Sequence, residues 1–375
     1  MIKYFDNAAT SFKKPKCVEK AVLNALRSYT NPSRGLYDTA LNSARLILET
    51  RELVADFFNA NDLKGVVFTK NITEALNLLI INLLKPNDLV ITSNAEHNAI
   101  LRPLYQKNGI KIKFLPLDEN GNIDFSHLDK NARLLIISHA SNVSGNGVDL
   151  EKIASWCKEF GVLLAIDSAQ SAGELKINAK DIDFLCFTGH KSLLAPTGIG
   201  GIIFKDIDTD INFFSGGTGF DTISHFMPKY LPERLEAGTL NLLGIAGLNA
   251  SLKYIKEKGQ ANLYNKSMKL AKAFFDGIYD IRGVKIYGDL DEFKSGDFKL
   301  KVPIISLNIK DFNSSKVAKI LYDKYGICTR AGLHCSPLIH EHFKTINQGM
   351  VRFSFSHFNS LKDINYAIKA IKDLI

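Results

Sequence analysis

The sequence predicts an α/β fold: a mostly parallel sheet covered by helices on both sides, followed by a smaller α+β unit. Three observations lead there. The middle of the chain alternates short β-rich runs with longer amphipathic helical patterns. Runs such as Leu134-Leu135-Ile136-Ile137 and Val162-Leu163-Leu164-Ala165-Ile166 are continuously apolar, the pattern of strands buried on both faces. Reactive polar residues gather just after the strands, where open parallel sheets place their ligands.

Two helices come first. Pro15–Tyr29 opens with proline in its first turn, and Thr39–Phe58 carries apolar residues at helical spacing. Seven strand candidates follow: Val66–Thr69, Asp88–Thr92, Ile112–Leu117, Leu134–His139, Val162–Asp167, Asp183–Thr188 and Gly200–Phe204. Helical patterns at Thr73–Leu84, Ala99–Lys107 and Leu150–Phe160 lie between them. After Asn241 the pattern changes. A helix through Tyr254 and another over Ala261–Ile281 lead into strands Val284–Tyr287, Val302–Ile309 and Val351–Ser356. Helices Ser314–Tyr325 and Ser360–Leu374 alternate with these strands, and Lys258-Gly259, a helix end followed by glycine, marks the boundary.

At 375 residues the chain exceeds twice the roughly 150 expected of one domain, so a large and a smaller unit are expected. Apolar residues at 46% and charged residues at 23% exclude disorder as the dominant state. The net charge of +8 is scattered, with no basic stripe interleaved with aromatics, so nucleic acid is not expected as a partner. Cys17, Cys157, Cys186, Cys328 and Cys335 are an odd number with no CxxC pair, which argues against a disulfide framework and for a reducing cytoplasm. MIKYFDNAAT has no basic-then-apolar leader, and no apolar run approaches the roughly 20 residues of a membrane helix; a soluble protein without a membrane partner is expected.

Asp167-Ser168-Ala169-Gln170 follows one strand and Thr188-Gly189-His190-Lys191 the next. An acid and a lysine at neighbouring strand ends are what pyridoxal phosphate requires: the amine forms a Schiff base, and the carboxylate pairs with the pyridine nitrogen so that the ring acts as an electron sink. A capping Asp and a surface Lys are the plain alternatives, though a lysine directly after a buried strand is poorly explained as surface. Asn71-Ile72-Thr73-Glu74 opens a helix whose free N–H groups suit a phosphate, or is a simple capping box. His97 could stack on a flat ring, and Asn142 could bond the ring hydroxyl; alone, one is a structural histidine and the other a turn residue. Arg330 stands five residues before Cys335 on a loop bounded by glycine and proline, a carboxylate clamp beside a thiol, and Arg352 lies on a strand. His334, Cys335, His340 and His342 match no closed zinc spacing, so no metal is expected.

Together these segments resemble the class V aminotransferases, and among them the cysteine desulfurases. The resemblance spans nearly the whole chain, through Tyr4-Phe5-Asp6-Asn7-Ala8-Ala9-Thr10, Asn31-Pro32-Ser33-Arg34-Gly35, Thr73-Glu74-Ala75 and Glu96-His97-Asn98. It continues in Ser141-Asn142-Val143-Ser144-Gly145, Asp167 to Gln170, Thr188 to Lys191, Arg234-Leu235-Glu236-Ala237-Gly238-Thr239, Arg330 to Cys335 and Val351-Arg352. It implies the pyridoxal phosphate fold type I, with a mostly parallel seven-stranded sheet in a large unit of residues 15–258. Residues 1–14 plus 259–375 would form the smaller unit. Lys191 would carry the cofactor as a Schiff base, Asp167 would pair with its pyridine nitrogen and Gln170 would bond the ring oxygen. His97 would stack on the ring and act in catalysis, and Asn142 would contact it. Thr73, Thr188 and His190 would hold the phosphate, with Thr239 reaching in from the second subunit of a homodimer. Arg330, Arg352 and Asn7 would bind the substrate, and Cys335 would take its sulfur as a persulfide.

The short loop around Cys335 is similar to that of the second desulfurase group, which includes the selenocysteine lyases. Leu333 stands where that group often has His, Ser168 where Gly is usual and Ile72 where a second Thr is frequent. The expected reaction turns L-cysteine into L-alanine and an enzyme-bound persulfide, which a protein acceptor then receives for iron–sulfur cluster assembly or tRNA thiolation. The rival readings are a selenocysteine lyase or another class V aminotransferase or lyase, and a non-catalytic scaffold protein, against which Lys191 and Asp167 argue.

Overall fold

The computed structural model describes residues 2–32, 35–207, 211 and 214–375; Ser33 and Arg34 of the second motif lie outside the described residues. Strand β1 (Lys3–Tyr4) opens the chain. Seven strands then build the central sheet: β2 (Val66–Thr69), β3 (Leu89–Ser93), β4 (Lys111–Leu115), β5 (Leu134–Ser138), β6 (Leu163–Asp167), β7 (Phe184–Thr188) and β8 (Gly200–Phe204). Five more follow: β9 (Val284–Tyr287), β10 (Ile304–Ile309), β11 (Ile327–Cys328), β12 (Arg330–Gly332) and β13 (Met350–Ser354).

The central order is β2-β8-β7-β6-β5-β3-β4, and β8 alone runs against its neighbours. The parallel strands require crossovers, and helices Ile72–Leu83, Asn98–Gln106 and Leu150–Phe160 serve as connections. The apolar runs in β5 and β6 are buried as their sequence predicts. Because β7 and β8 pair antiparallel, residues 189–199 return along the same sheet edge at which β3, β5 and β6 end. That edge therefore collects residues after β3, β5, β6 and β7 at one place.

The second sheet is antiparallel, β12-β13-β10-β9, and β1 pairs in parallel with β11. Helices Gln260–Ile278 and Leu361–Lys372 cover it around a core that contains Phe5, Phe274, Phe353 and Phe355, with Phe274 and Phe353 centroids 4.6 Å apart. The central sheet has its own apolar layers, one on each face.

The boundaries differ from the sequence expectation where proline intervenes. Expected strand Ile112–Leu117 ends at Leu115, ahead of Pro116, and Val302–Ile309 begins only at Ile304, after Pro303; proline has no N–H to give a ladder. Strands β1, β11 and β12 and helices Asp291–Ser295 and Pro337–His342 escaped the sequence reading, being too short for a period. Among the described residues, no helix is long and apolar enough to cross a membrane.

Gly200 starts β8 where there is no room for a side chain: a Cβ would lie 2.7 Å from the Phe187 carbonyl oxygen and 3.0 Å from the Asn71 backbone. Gly200→Ala is expected to destabilise the fold by about 1–3 kcal/mol by overpacking, read as a lower denaturant midpoint at unchanged slope. An unchanged midpoint would show that the Asn71 turn can move away freely.

Candidate active site

At the carboxyl edge of the sheet lies a cavity of about 320 Å³. Its walls bring together Thr73, His97, Asn142, Asp167, Gln170, Thr188, His190 and Lys191, all expected from the sequence, together with Ser138 and Ala140, which were not. Asp167 ends β6 and faces Ser138 on β5 and Cys186 on β7 in register, so its carboxylate leaves the middle of the sheet. It is buried and accepts the Ala169 N–H at 2.8 Å. Burial raises its pKa, while the Ala169 N–H and the Lys191 ammonium oppose the rise.

Lys191 sits on the β7–β8 connection. Burial pulls its pKa from 10.5 down to about 8, against the pull of Asp167, and Arg352 lowers it further. The backbone beneath it is tied down by the N-terminal segment. The His190 carbonyl accepts from Ser11 N at 3.0 Å, Ser11 Oγ at 3.0 Å, Thr10 Oγ1 at 3.1 Å and Lys14 Nζ at 3.1 Å. Sequence reasoning missed Ser11 and Lys14, whose work is done through a backbone atom far along the chain. Gln170 Nε2 donates to the Ala8 carbonyl at 3.1 Å, so the same segment also holds the β6 turn.

His97 caps helix Asn98–Gln106, its Nδ1 accepting the Ala99 N–H at 3.0 Å. The proton of the neutral ring therefore lies on Nε2, and burial, then Lys191, Arg352 and Arg102, lower its pKa to about 4. A flat, uncharged face is what results. Its neighbour Glu96 is fully buried, bonded to Ser93 Oγ at 2.5 Å and to Ser138 N and Oγ at 2.8 and 2.7 Å, and burial raises its pKa to about 7. Glu96 thus links β3 to the cavity wall. Its place in Glu96-His97-Asn98 was the available signal.

At the other end, Asn71 caps helix Ile72–Leu83 by accepting the Glu74 N–H at 2.9 Å. The remaining N–H groups of that first turn have no partner within the helix. Thr188 Oγ1 and His190 Nδ1 are buried without a hydrogen-bond partner. Burial, Lys191 and Lys14 hold the His190 pKa near 4.

Cys335, Arg330 and Arg352 approach the cavity from the second sheet. Arg330 lies on strand β12 rather than on a loop, directly opposite Arg352 on β13. Two cations paired across a ladder repel each other, which makes the place receptive to an anion. Arg352 is buried, donates to the Asn142 carbonyl at 2.8 Å and to Asp6 Oδ1 at 3.1 Å, and leaves its Nε unpartnered. Cys335 is exposed, and its carbonyl accepts the Asn98 N–H at 2.7 Å, next to the cavity-lining His97 and Ala99.

Asn142 reaches this thiol loop: Nδ2 donates to the His334 carbonyl at 2.7 Å and Oδ1 accepts from Ser336 Oγ at 2.8 Å. Two expected residues stand elsewhere. Asn7 donates to the Ser354 carbonyl at 2.9 Å beside a separate small pocket. Thr239 is exposed on a groove of about 670 Å³, with Tyr230 and Phe220.

The Lys191 amine is expected to gain reactivity toward acetic anhydride around pH 8, measured by mass spectrometry on the cofactor-free protein. Asp167 favours the ammonium form, so Asp167→Asn should move that midpoint to lower pH. A midpoint near the ordinary 10.5 would contradict the burial argument.

A family model, Aminotransferase class-V, matches residues 3–366. A probable cysteine desulfurase of Pyrococcus abyssi is 33% identical over 99% of this chain and 94% of its own. An apo cysteine desulfurase structure from Thermococcus onnurineus superposes with a TM-score of 0.92 at 32% identity, covering 100% of this chain and 94% of that one. The Escherichia coli cysteine desulfurase structure titled as the S-sulfonic acid gives 0.87 at 28% identity, covering 99% and 94%. The sheet matches the fold type I architecture of these structures, and both the class-V aminotransferases and the cysteine desulfurases are pyridoxal phosphate-dependent. The chain, an enzyme with this fold, belongs to the class-V aminotransferase family.

Proposed function

We propose that this protein is a pyridoxal phosphate-dependent cysteine desulfurase, converting L-cysteine to L-alanine and leaving the sulfur as a persulfide on Cys335. The observation that carries this reading is an exposed thiol on a held loop, within electrostatic reach of a buried lysine that shares a cavity with a buried carboxylate. A transaminating relative has no use for that thiol.

The cavity suits the cofactor at both ends. Thr188 Oγ1 and His190 Nδ1, unpartnered beside the first turn of helix Ile72–Leu83 where Thr73 lies, would hold its phosphate. Asp167 would pair with its ring nitrogen, His97 would lie on its face, and Gln170 and Asn142 would border its oxygen side. When bound, pyridoxal phosphate supplies an electron sink that weakens the substrate's carbon–sulfur bond.

Lys191 Nζ, neutral above about pH 8, accepts a proton and returns it on the substrate side. Arg330 and Arg352 bind the substrate carboxylate. Cys335 Sγ attacks as the thiolate: a sulfur–sulfur bond forms, the substrate's carbon–sulfur bond breaks, and a proton completes alanine. The persulfide passes to a protein acceptor, which the exposure of Cys335 permits.

The protein acts as a homodimer, with Thr239 completing the partner's phosphate site. In support, Thr239 lies apart from its own cavity, on a groove whose walls include the exposed rings of Phe220 and Tyr230. Residues 15–258 form one unit, and 1–14 with 259–375 the other; the membership of Phe5 in the C-terminal core supports that division. Unpaired thiols suit the cytoplasm as the compartment.

Lys191→Ala should yield a colourless protein inactive on cysteine. Cys335→Ala should keep the cofactor's absorbance band but lose sulfur transfer by about three orders of magnitude or more, read as alanine and sulfide release. Retained desulfuration by Cys335→Ala would refute the nucleophile assignment, and a far higher kcat/KM on selenocysteine would reassign the substrate. Arg330→Ala should raise KM for cysteine about ten- to hundredfold, the loss of one charge-assisted hydrogen bond. An unchanged KM would leave the carboxylate to Arg352 alone.

A further inference from the structure

Behind Cys335 runs a hydrogen-bonded series of side chains that the reaction above does not use. His334 Nδ1 lies 3.2 Å from His340 Nε2, their rings stacked with centroids 5.4 Å apart, and His340 Nδ1 lies 2.8 Å from Thr345 Oγ1. All three residues are buried. His340 stands on the short helix Pro337–His342, and Thr345 folds back on it, its N–H donating to the His340 carbonyl at 2.8 Å.

The loop in front needs such support. His334 and Cys335 are consecutive non-glycine residues at φ 51° and 57°, the left-handed region that side chains disfavour. The Asn98 N–H and the Asn142 side chain fix the carbonyls of Cys335 and His334, respectively. The His334 ring is held separately, by His340 and by a hydrogen bond to the Arg330 backbone. One proton is shared in each contact of the series, between Thr345 Oγ1 and His340 Nδ1 and between His340 Nε2 and His334 Nδ1. Both rings must stay neutral for this arrangement, and burial keeps them so.

We propose that His340, anchored by Thr345, is a positioning residue that locks the His334-Cys335 turn through the His334 ring and so presents the thiol in a single orientation. The importance of that orientation rests on the reading of Cys335 as nucleophile; the locking itself does not.

The test compares His340→Leu, His340→Asn and His340→Gln. Glutamine can place an amide where Nε2 stands and restore the bond to His334; asparagine can keep only the Thr345 side, and leucine neither. Hydrogen exchange by mass spectrometry, on the protein with and without pyridoxal phosphate, should show amides of residues 98 and 333–336 exchanging at least tenfold faster in the leucine and asparagine variants. Exchange in strand β13 should be unchanged, and the glutamine variant should lie within twofold of the parent. Single-turnover persulfide formation should fall at least tenfold in the same two variants, with KM for cysteine within twofold, and recover with glutamine. Should the leucine variant fail to fold, the contrast of glutamine with asparagine decides alone. Unchanged exchange in the asparagine variant, or a glutamine variant as impaired as asparagine, would overturn the proposal. If the exchange pattern appears while even the parent forms no persulfide, the locking stands and the desulfurase reading falls.

Discussion

Burial acts in opposite directions on the two charges that face each other across the cavity. The Asp167 carboxyl is pushed up and the Lys191 amine down, and each opposes the shift of the other, with the Ala169 N–H also favouring the Asp167 carboxylate. Neither could be held dry and ready without a rigid surround, because a buried charge free to move would seek water or neutralise. The sheet meets that demand for Asp167, which is in register with strands on both sides. For Lys191 the task falls to the reversed strand β8 and to the cluster of donors on the His190 carbonyl.

The thiol comes from the other sheet, so its relation to the lysine depends on how firmly the two sheets are joined. Polar contacts do the joining. Val302 N donates to the Gly145 carbonyl at 3.0 Å, Ser306 Oγ to the Val143 carbonyl at 2.6 Å and buried Lys301 Nζ to Asn146 Oδ1 at 2.6 Å. These contacts all fall on residues 143–146, directly after Asn142, which itself grips the thiol loop. One turn after β5 therefore fixes the distance between two reactive groups that share no secondary structure. Such buried bonds are costly to break singly, since each leaves an unpaired group behind.

The central sheet was legible because its strands are continuous apolar runs and its reactive residues end them; Asp167 and Lys191 could be picked out on that ground alone. The cavity residues reached through such strand ends, Thr73, His97, Asn142, Gln170, Thr188 and His190, came with them. What escaped has a common physical origin. Strands β1, β11 and β12 span two or three residues and carry no period. Asp6 on Arg352 and Lys14 on the His190 carbonyl are contacts between residues 346 and 176 positions apart, which local pattern cannot express. Glu96 stood only as part of the Glu96-His97-Asn98 motif, and its bonds to Ser93 and Ser138 depend on the pairing of separate strands. Asn142 was visible as a site residue, but its grip on the Cys335 loop depends on a sheet that lies almost two hundred residues later in the chain.

The packing of Phe5 among Phe353 and Phe355, beside Asp6 on Arg352 and Asn7 on Ser354, ties this segment to residues almost 350 positions further along the chain. During synthesis on the ribosome, the segment around Phe5 must wait, unsatisfied, until the strand that carries Phe353 has emerged. The same segment braces Lys191 through Thr10, Ser11 and Lys14, so a nascent chain can form its central sheet long before it owns a finished reaction centre. Such long-range closure slows folding, and it also means that incomplete products of translation carry the lysine without the bracing that makes it selective.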